Sequence, residues 1–237
     1  MKMKLVAVSV LTFIMTAPFA QPASLESVKL ETDVDKVSYS IGVDLGSNIQ
    51  KKGIDINVSA LARGISDGMS EGPRLLTDDQ RKETLVDFQK KMMAKATVEY
   101  EKVAKDNQVK GQAFLAENKK KTGVVTLPSG LQYEIIKNTT GPKPDATDTV
   151  TVEYTGTLLD GRVFDGTAQS GKPATFPLNQ VIQGWTEGLQ LMPTGSVWKF
   201  YIPSNLAYGP KSVGDVIGPN ATLIFEVHLI SIETNKK

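Results

Sequence analysis

The sequence predicts an α+β protein with a helical N-terminal part and, in its C-terminal part, an antiparallel sheet wrapped on a short helix. Two observations lead to this prediction. Apolar residues recur every three or four positions between Asp33 and Lys121, which is the period of an amphipathic helix. From Val124 onward they recur at every second position, which is the period of a half-buried strand. A chain of 237 residues has room for one large domain or two modest ones.

The first residues have the layout of a secretory signal peptide. Two lysines precede an apolar run at residues 5–14, which is too short to span a bilayer, and small residues follow it. We expect residues 1–20 to be the signal peptide; cleavage after Ala23 stays open, because Pro18 is unusual at the third position before a cut after Ala20. The chain has no cysteine for lipid attachment. We therefore expect export, to a periplasm or an outer-membrane-associated cell surface, with no transmembrane segment. The alternative is an N-terminal core helix.

Two short amphipathic helices are predicted within residues 21–76, the expected N-terminal helical domain. Asn57 is placed to cap the second helix, and Gly72 and Pro73 are placed to end it. Each helix has a single apolar stripe and so needs another surface to cover it. The first stripe is Val34, Val37, Ile41, Leu45 and Ile49, and the second is Val58, Leu61, Ala62, Ile65 and Met69.

A long connecting helix is predicted over residues 77–122, because a capping box begins at Thr77 and no proline follows before Gly123. Such a helix would be ~66 Å long. Its first half carries an apolar stripe, whereas its second half is mostly polar and contains Gly111, which weakens a helix by ~1 kcal/mol relative to alanine. We interpret the first half as packing with the two short helices and the second half as a stalk in solvent.

The apolar stripes are larger than one three-helix hairpin is expected to cover. We therefore predict that the N-terminal helices form a homodimer, the commonest way to bury such a surface. The alternative from the residues alone is a monomeric helical domain with a kinked third helix.

Residues 123–237 form the predicted sheet domain. Alternation of apolar and polar residues indicates strands at residues 150–155 and 223–229, and strands also fit Leu131–Lys137 and Val197–Pro203. One short helix fits Gln183–Leu191.

Five motifs in this region, in this order and spacing, closely resemble an FKBP-type peptidyl-prolyl cis/trans isomerase. They are Val150–Gly156, Asp160–Asp165, Gln180–Trp185, Ala207–Gly209 and Ala221–Phe225. The whole chain resembles the dimeric, secreted macrophage infectivity potentiator branch of that family. The resemblance implies an isomerase domain at residues 123–237 that rotates Xaa-Pro bonds in exported or host proteins and assists their folding. It also implies homodimerisation, a virulence-associated surface role, and inhibition by macrolides of the FK506 and rapamycin type.

The resemblance also assigns a site. Asp165, Tyr208 and Tyr154 are the expected catalytic residues, Trp185 is the floor of an apolar pocket, and Ile217 belongs to a loop that overhangs it. The remaining substrate-binding residues are Phe164, Phe176, Val181, Ile182 and Phe225. Taken singly, each aromatic residue would be interpreted as core and Asp165 as a turn residue; their joint spacing favours the site.

Composition excludes several other functions. A net charge of +1 gives no reason to expect a nucleic-acid partner. A chain without cysteine and with His228 as its single histidine cannot form a zinc–cysteine site or a histidine-rich metal site. We therefore expect no metal and no cofactor. A second function stays open: a chaperone or adhesin that holds proline-containing segments in the same pocket without catalysis.

Overall fold

A computed structural model describes residues 28–234, so the predicted signal peptide lies outside the described residues. The chain divides into two compact units, with the boundary between Thr77 and Asp78. No helix within residues 28–234 has the length and apolar character that a membrane crossing requires.

The described part of the first unit, from residue 28 onward, contains two helices, α1 (Asp33–Lys51) and α2 (Val58–Gly68). Thr32 and Asp35 form a reciprocal capping box at the start of α1. The Asn57 side chain accepts a hydrogen bond from the Ala60 amide at 3.0 Å, which confirms it as the cap of α2. Neither helix contains a buried residue. The apolar stripes predicted from the sequence are exposed in the single chain except at Ile49 and Leu61, which are half-buried.

The second unit begins with α3 (Asp78–Asn118), an uninterrupted helix of 41 residues. At 1.5 Å per residue it is about 62 Å long, close to the predicted length. The third helical segment predicted from the sequence is therefore one continuous helix.

The second half of α3 packs against the sheet domain, contrary to the prediction of a stalk in solvent. Asn118 is fully buried and donates from Nδ2 to Gln132 Oε1 at 3.0 Å, and Phe114 lies 5.8 Å from the Tyr201 ring, centroid to centroid. Gly111 is also buried, and a Cβ there would lie 2.3 Å from Thr222 Oγ1. The prediction was wrong because glycine allows the close approach and polar side chains find partners there.

In the part of the chain that the structure describes, seven strands form one sheet in which every neighbouring pair is antiparallel. The spatial order is β1-β2-β6-β7-β3-β4, and β5 also pairs with β3. The strands are β1 (Val124–Thr126), β2 (Gln132–Lys137), β3 (Thr149–Thr157), β4 (Val163–Gly166), β5 (Ala174–Pro177), β6 (Val197–Ile202) and β7 (Leu223–Glu233). This arrangement confirms the predicted antiparallel sheet.

The sheet wraps on α4 (Gln183–Leu189), which presents Trp185 and Leu189 to the core. Two glycines let α4 lie directly on β6. A Cβ at Gly184 would be 2.5 Å from Ile202, and one at Gly188 would be 2.5 Å from Phe200. The close packing of α4 on β6 fixes the height of Trp185 above the sheet.

Candidate active site

A cavity of about 380 Å³ opens beside α4, between β3, β4, β5 and β7. Nine of the ten residues predicted for the site line it, together with Gln180, which was not predicted. The lining residues are Tyr154, Phe164, Asp165, Phe176, Gln180, Val181, Ile182, Trp185, Tyr208 and Phe225.

Trp185 is the centre of an aromatic cluster in this cavity. Its ring centroid lies 5.1 Å from that of Tyr154, 5.2 Å from that of Phe225 and 5.9 Å from that of Phe176. The interplanar angles are 81° to 89°, the edge-to-face arrangement that aromatic quadrupoles favour. Trp185 is only 4% exposed, so the cluster holds it as a rigid floor.

Gly156 on β3 makes room for two of the aromatic walls. A Cβ at this position would lie 2.7 Å from the Phe164 ring and 2.8 Å from the Phe225 ring. These two rings meet at 5.4 Å with an interplanar angle of 88°. Gly156 therefore has a role that was not predicted for it, although it lies within the first sequence motif.

Among the described residues that line the cavity, Asp165 is the only one with a carboxylate. Its Oδ2 accepts a hydrogen bond from the Tyr154 hydroxyl at 2.7 Å, and its Oδ1 accepts one from the Gly166 amide at 2.8 Å. Thr167 in turn accepts from the Tyr154 amide at 3.0 Å. The carboxylate is thereby fixed in direction while its residue stays exposed to solvent.

The two tyrosines of the site remain protonated donors. Burial, followed by the hydrogen bond to Asp165, raises the pKa of Tyr154 well above its usual value of 10.0. Burial and the nearby charge of Asp165 also raise the pKa of Tyr208. The Tyr208 hydroxyl makes no hydrogen bond to any residue that the structure describes, and the residue is 38% exposed. It is therefore available to donate to a bound molecule.

Ile182 presents a backbone donor at the start of α4. It is the cap residue of that helix, with extended φ and ψ, and its carbonyl accepts from the Trp185 amide at 2.9 Å. Within the described part of the chain the Ile182 amide itself donates to no acceptor, as expected where a helix begins. The geometry thus offers an N–H at the edge of an apolar cavity.

Ile217 does not line this cavity. It is 6% exposed, belongs to the core, and lines a larger cavity of about 860 Å³ along α3. Charged residues of both signs are spread along that cavity, and it lacks the aromatic cluster. The smaller cavity is therefore the candidate active site, and the part of Ile217 in substrate binding stays a prediction.

No group of three or more His, Cys, Asp or Glu side chains within residues 28–234 is arranged to hold a metal ion. Among the described residues, the cavity offers the Asp165 carboxylate, two tyrosine hydroxyls, the Gln180 carboxamide and the Ile182 backbone amide in an otherwise apolar surface. Such a site can bind and orient a polypeptide backbone, but it holds no nucleophile and base in contact.

Comparison with known sequences identifies two regions. Residues 34–135 match the domain amino terminal to FKBP-type peptidyl-prolyl isomerase, and residues 141–230 match the FKBP-type peptidyl-prolyl cis-trans isomerase itself. The outer membrane protein MIP of Legionella longbeachae is 56% identical over 98% of this chain and 99% of its own. The peptidyl-prolyl cis-trans isomerase Mip of Coxiella burnetii is 41% identical over 86% of this chain and 89% of its own.

Comparison with solved structures agrees. The crystal structure of FkpA from Escherichia coli aligns with a TM-score of 0.70 and 34% identity, over 88% of this chain and all of that one. A peptidyl-prolyl cis-trans isomerase from Pseudomonas syringae aligns with a TM-score of 0.52 and 42% identity, over 55% of this chain and 96% of that one. With similarity over nearly the whole length and an aromatic cavity where the motifs predicted it, this chain belongs to the FKBP-type peptidyl-prolyl cis-trans isomerases.

Proposed function

We propose that the aromatic cavity is where this isomerase binds and rotates an Xaa-Pro bond. The observation that carries the proposal is one oriented carboxylate, Asp165, in a cavity that is otherwise lined mostly by apolar rings. The substrates are proline-containing polypeptides, in line with the family.

The apolar surface supports catalysis through a difference in polarity. The barrier to rotation is about 18–20 kcal/mol and arises from amide resonance. Twisting removes that resonance, so the transition state is less dipolar than the planar amide. A cavity from which water is excluded favours the twisted form, and every 1.36 kcal/mol of this preference gives about a tenfold rate increase. In this cavity the proline ring would lie on Trp185.

The polar groups would hold the backbone on either side of the bond. The Ile182 amide and the Tyr208 hydroxyl each have a free donor and would bind substrate carbonyls. The Asp165 carboxylate, kept in place by Tyr154 and Gly166, would stand beside the twisting amide. We assign Asp165, Tyr208 and Tyr154 as catalytic residues and the remaining lining residues as the substrate-binding surface.

The test is the isomerisation rate of a short Xaa-Pro peptide, measured for the full chain and for Asp165→Leu. We expect kcat/KM to fall by at least about thirtyfold, or ~2 kcal/mol, because the oriented charge beside the twisting amide is lost. Asp145→Leu is the matched control: it makes the same change at an exposed aspartate outside the cavity and should leave the rate within about twofold. Equal rates in the wild-type protein and Asp165→Leu would remove Asp165 from the site.

We further propose that the chain is a homodimer joined through its N-terminal helices. The support is the set of apolar side chains that α1, α2 and the first half of α3 expose to solvent in a single chain. Sedimentation equilibrium of the mature protein tests this proposal, and a single species with the mass of one chain would contradict it.

Export to the periplasm or the outer-membrane-associated surface is also proposed. Its support is the signal-peptide pattern of residues 1–20 and the printed name of the Legionella relative, an outer membrane protein. Mass spectrometry of the protein from fractionated cells would show cleavage near Ala20 or Ala23. An uncleaved cytoplasmic chain would contradict the proposal.

Macrolides of the FK506 and rapamycin type are proposed inhibitors, because their binding would require the same apolar floor and the same backbone donor. Competition with the Xaa-Pro peptide is the expected outcome. Trp185→Ala should abolish it, and inhibition that persists in this variant would place the macrolide elsewhere.

The second candidate function is binding without turnover. Two cavities carried by a dimer could hold one unfolded polypeptide, since joining two sites raises the effective concentration of the second. Asp165→Leu separates the two functions, because it changes the carboxylate but leaves the aromatic cluster and the helices. Chaperone or adhesive activity that persists in this variant would show that binding alone is sufficient.

A further inference from the structure

The loop of residues 207–222 joins the turn at Ser204–Leu206 to β7 and carries Tyr208 near its start. Its two arms are paired at the base, where the Asn220 amide donates to the Gly209 carbonyl at 2.8 Å. Nearer the tip, two further hydrogen bonds join Val213 and Ile217. The position of Asn220 therefore directly affects the position of Gly209, the residue that follows Tyr208.

One face of α3 holds both arms of this loop. The Tyr100 hydroxyl donates to the Pro210 carbonyl, and the Asn107 side-chain amide donates to the Pro219 carbonyl at 2.9 Å. In the opposite direction, the Asn220 side-chain amide donates to the carbonyl of Ala104 at 3.4 Å. The three helix positions, 100, 104 and 107, are spaced by four and three residues and so lie on one side of the helix.

Asn220 combines this contact with an unusual backbone. Within residues 28–234 it is the one non-glycine residue with a positive φ, at 56°. Asparagine tolerates this region better than most residues, and such outliers persist where the surroundings hold them. Here the side chain is held by α3 while the backbone amide holds Gly209. Asn220 thus links the helix to the residue next to Tyr208.

The loop also lies close to α3 at Gly218, where an added Cβ would be a tight fit. A Cβ at Gly218 would be 3.0 Å from Asn107 Nδ2 and 3.4 Å from Val103. On the cavity side the Tyr208 hydroxyl has no partner among the described residues. The place of that hydroxyl therefore depends on the loop backbone. That backbone is held at Ala207 and Gly209 by the Ser204 carbonyl and, through Pro210, Pro219 and Asn220, by α3.

We propose that Asn107, with Tyr100, is a positioning residue for the isomerase: through loop 207–222, this face of α3 places the Tyr208 hydroxyl in the cavity. The inference rests on the proposed function of Tyr208 as a donor to the substrate. The long helix would then contribute to catalysis, although its residues lie far in the sequence from those that line the cavity.

Asn107→Asp tests the proposal with little change in shape, because a carboxylate cannot donate to the Pro219 carbonyl. We expect kcat/KM for an Xaa-Pro peptide to fall about three- to tenfold, as one positioning hydrogen bond is replaced by repulsion. Gln108→Glu is the matched control. It makes the same chemical change at the neighbouring exposed position of the same helix and should stay within about twofold.

The decisive measurement is the same substitution in a Tyr208→Phe background. If Asn107 acts by placing the Tyr208 hydroxyl, Asn107→Asp should cost less than about twofold once that hydroxyl is gone. An equal loss in both backgrounds, or no loss in either, would overturn the proposal. An unchanged rate in Tyr208→Phe alone would overturn it as well, while Asp165→Leu would still test the site independently.

Tyr100→Phe is the second variant, and it keeps the proposal testable if Asn107→Asp does not fold. It removes one hydroxyl and should lower kcat/KM in the same Tyr208-dependent way. In each folded variant the amide of Asn220 should exchange its hydrogen faster than in the wild type, because the loop base is less well held. Unchanged exchange at Asn220 would show that α3 does not hold the loop and would overturn the proposal.

Discussion

The two halves of α3 differ in what covers them. In the first half, apolar side chains such as Leu85 and Phe88 are exposed, at 60% and 40% of their full surface. In the second half, which is mostly polar, Gly111 and Asn118 are buried against the sheet domain. One continuous helix therefore has an uncovered apolar face followed by a covered polar one.

The difference shows that residue type alone does not determine which face of a helix packs. The second half is held by a few specific contacts: a glycine without a Cβ, an amide pair and a tilted aromatic pair. The first half has apolar area but no comparable partner within the described unit. We expect its partner to be the second chain of the proposed dimer, and the predictions below test each half in turn.

The largest effect is expected from Phe88→Glu, which tests the exposed apolar face in the first half of α3. Placing a carboxylate in an apolar interface without a partner costs several kcal/mol, so the dissociation constant of the dimer should rise by at least about a hundredfold. Lys90→Glu introduces the same residue about 200° around the helix and should leave the constant nearly unchanged. Analytical ultracentrifugation measures both, and an intact Phe88→Glu dimer would place the interface elsewhere.

The next largest effect is expected from Asn118→Leu, which tests the packing of the second half of α3 on the sheet domain. The change leaves the buried Gln132 Oε1 without its donor, so we expect the free energy of unfolding to fall by about 1–3 kcal/mol. Gln112→Leu, at an exposed position of the same half, should change it by less than about 0.5 kcal/mol. Urea denaturation compares the two, and equal stabilities would show that the packing of this half contributes little.

Gly111→Ala and Gly42→Ala should change the free energy of unfolding in opposite directions. Alanine favours a helix by about 1 kcal/mol relative to glycine, and nothing lies within 4 Å of a Cβ at Gly42, so that variant should be more stable. At Gly111 the Cβ would overlap Thr222, and overpacking of about 1–3 kcal/mol should outweigh the gain. Two stabilised variants in thermal unfolding would show that α3 can move away from Thr222 without cost.

Substitution of Tyr201, which packs against Phe114, should have the smallest effect on the free energy of unfolding, and only at alkaline pH. Burial and the hydrogen bond to Glu134 raise its pKa above 10.0, so the folded state favours the protonated phenol. That contribution is complete below about pH 10 and is lost as the pH rises through the folded-state pKa. Tyr201→Phe should therefore flatten the alkaline decline in the free energy of unfolding. An unchanged pH dependence would show that Tyr201 does not titrate differently on folding.

The site was more predictable from the sequence than the packing of α3. Tyr154, Asp165 and Trp185 lie in short motifs whose residues meet because they occupy fixed places on β3, β4 and α4. Elements with strong periods, such as β7 and α1, were predicted for the same reason. Strands β4 and β5 have four residues each and show too few repeats to reveal a period.

The contacts of the second half of α3 could not be predicted from periodicity. They depend on which polar group meets which partner across more than a hundred residues of sequence, as with Asn107 and Pro219. Gly111 illustrates the difficulty, because a glycine in a helix is ordinarily a weak point and here it is the place of closest approach. For the same reason, the sequence could not show that Ile217 lies along α3 rather than in the aromatic cavity.

Because α3 has no break between Asp78 and Asn118, it fixes the angle between its two faces. Each inserted residue would turn one face by about 100° relative to the other, whereas seven would restore the angle to within about 20°. A one-residue insertion near Glu99 should thus leave both faces intact yet reorient the cavities in the proposed dimer. We therefore expect changes in the length of this helix to be tolerated in steps of seven residues. Each step moves the cavity of each chain about 10 Å further from the apolar face of its own helix, along the helix axis.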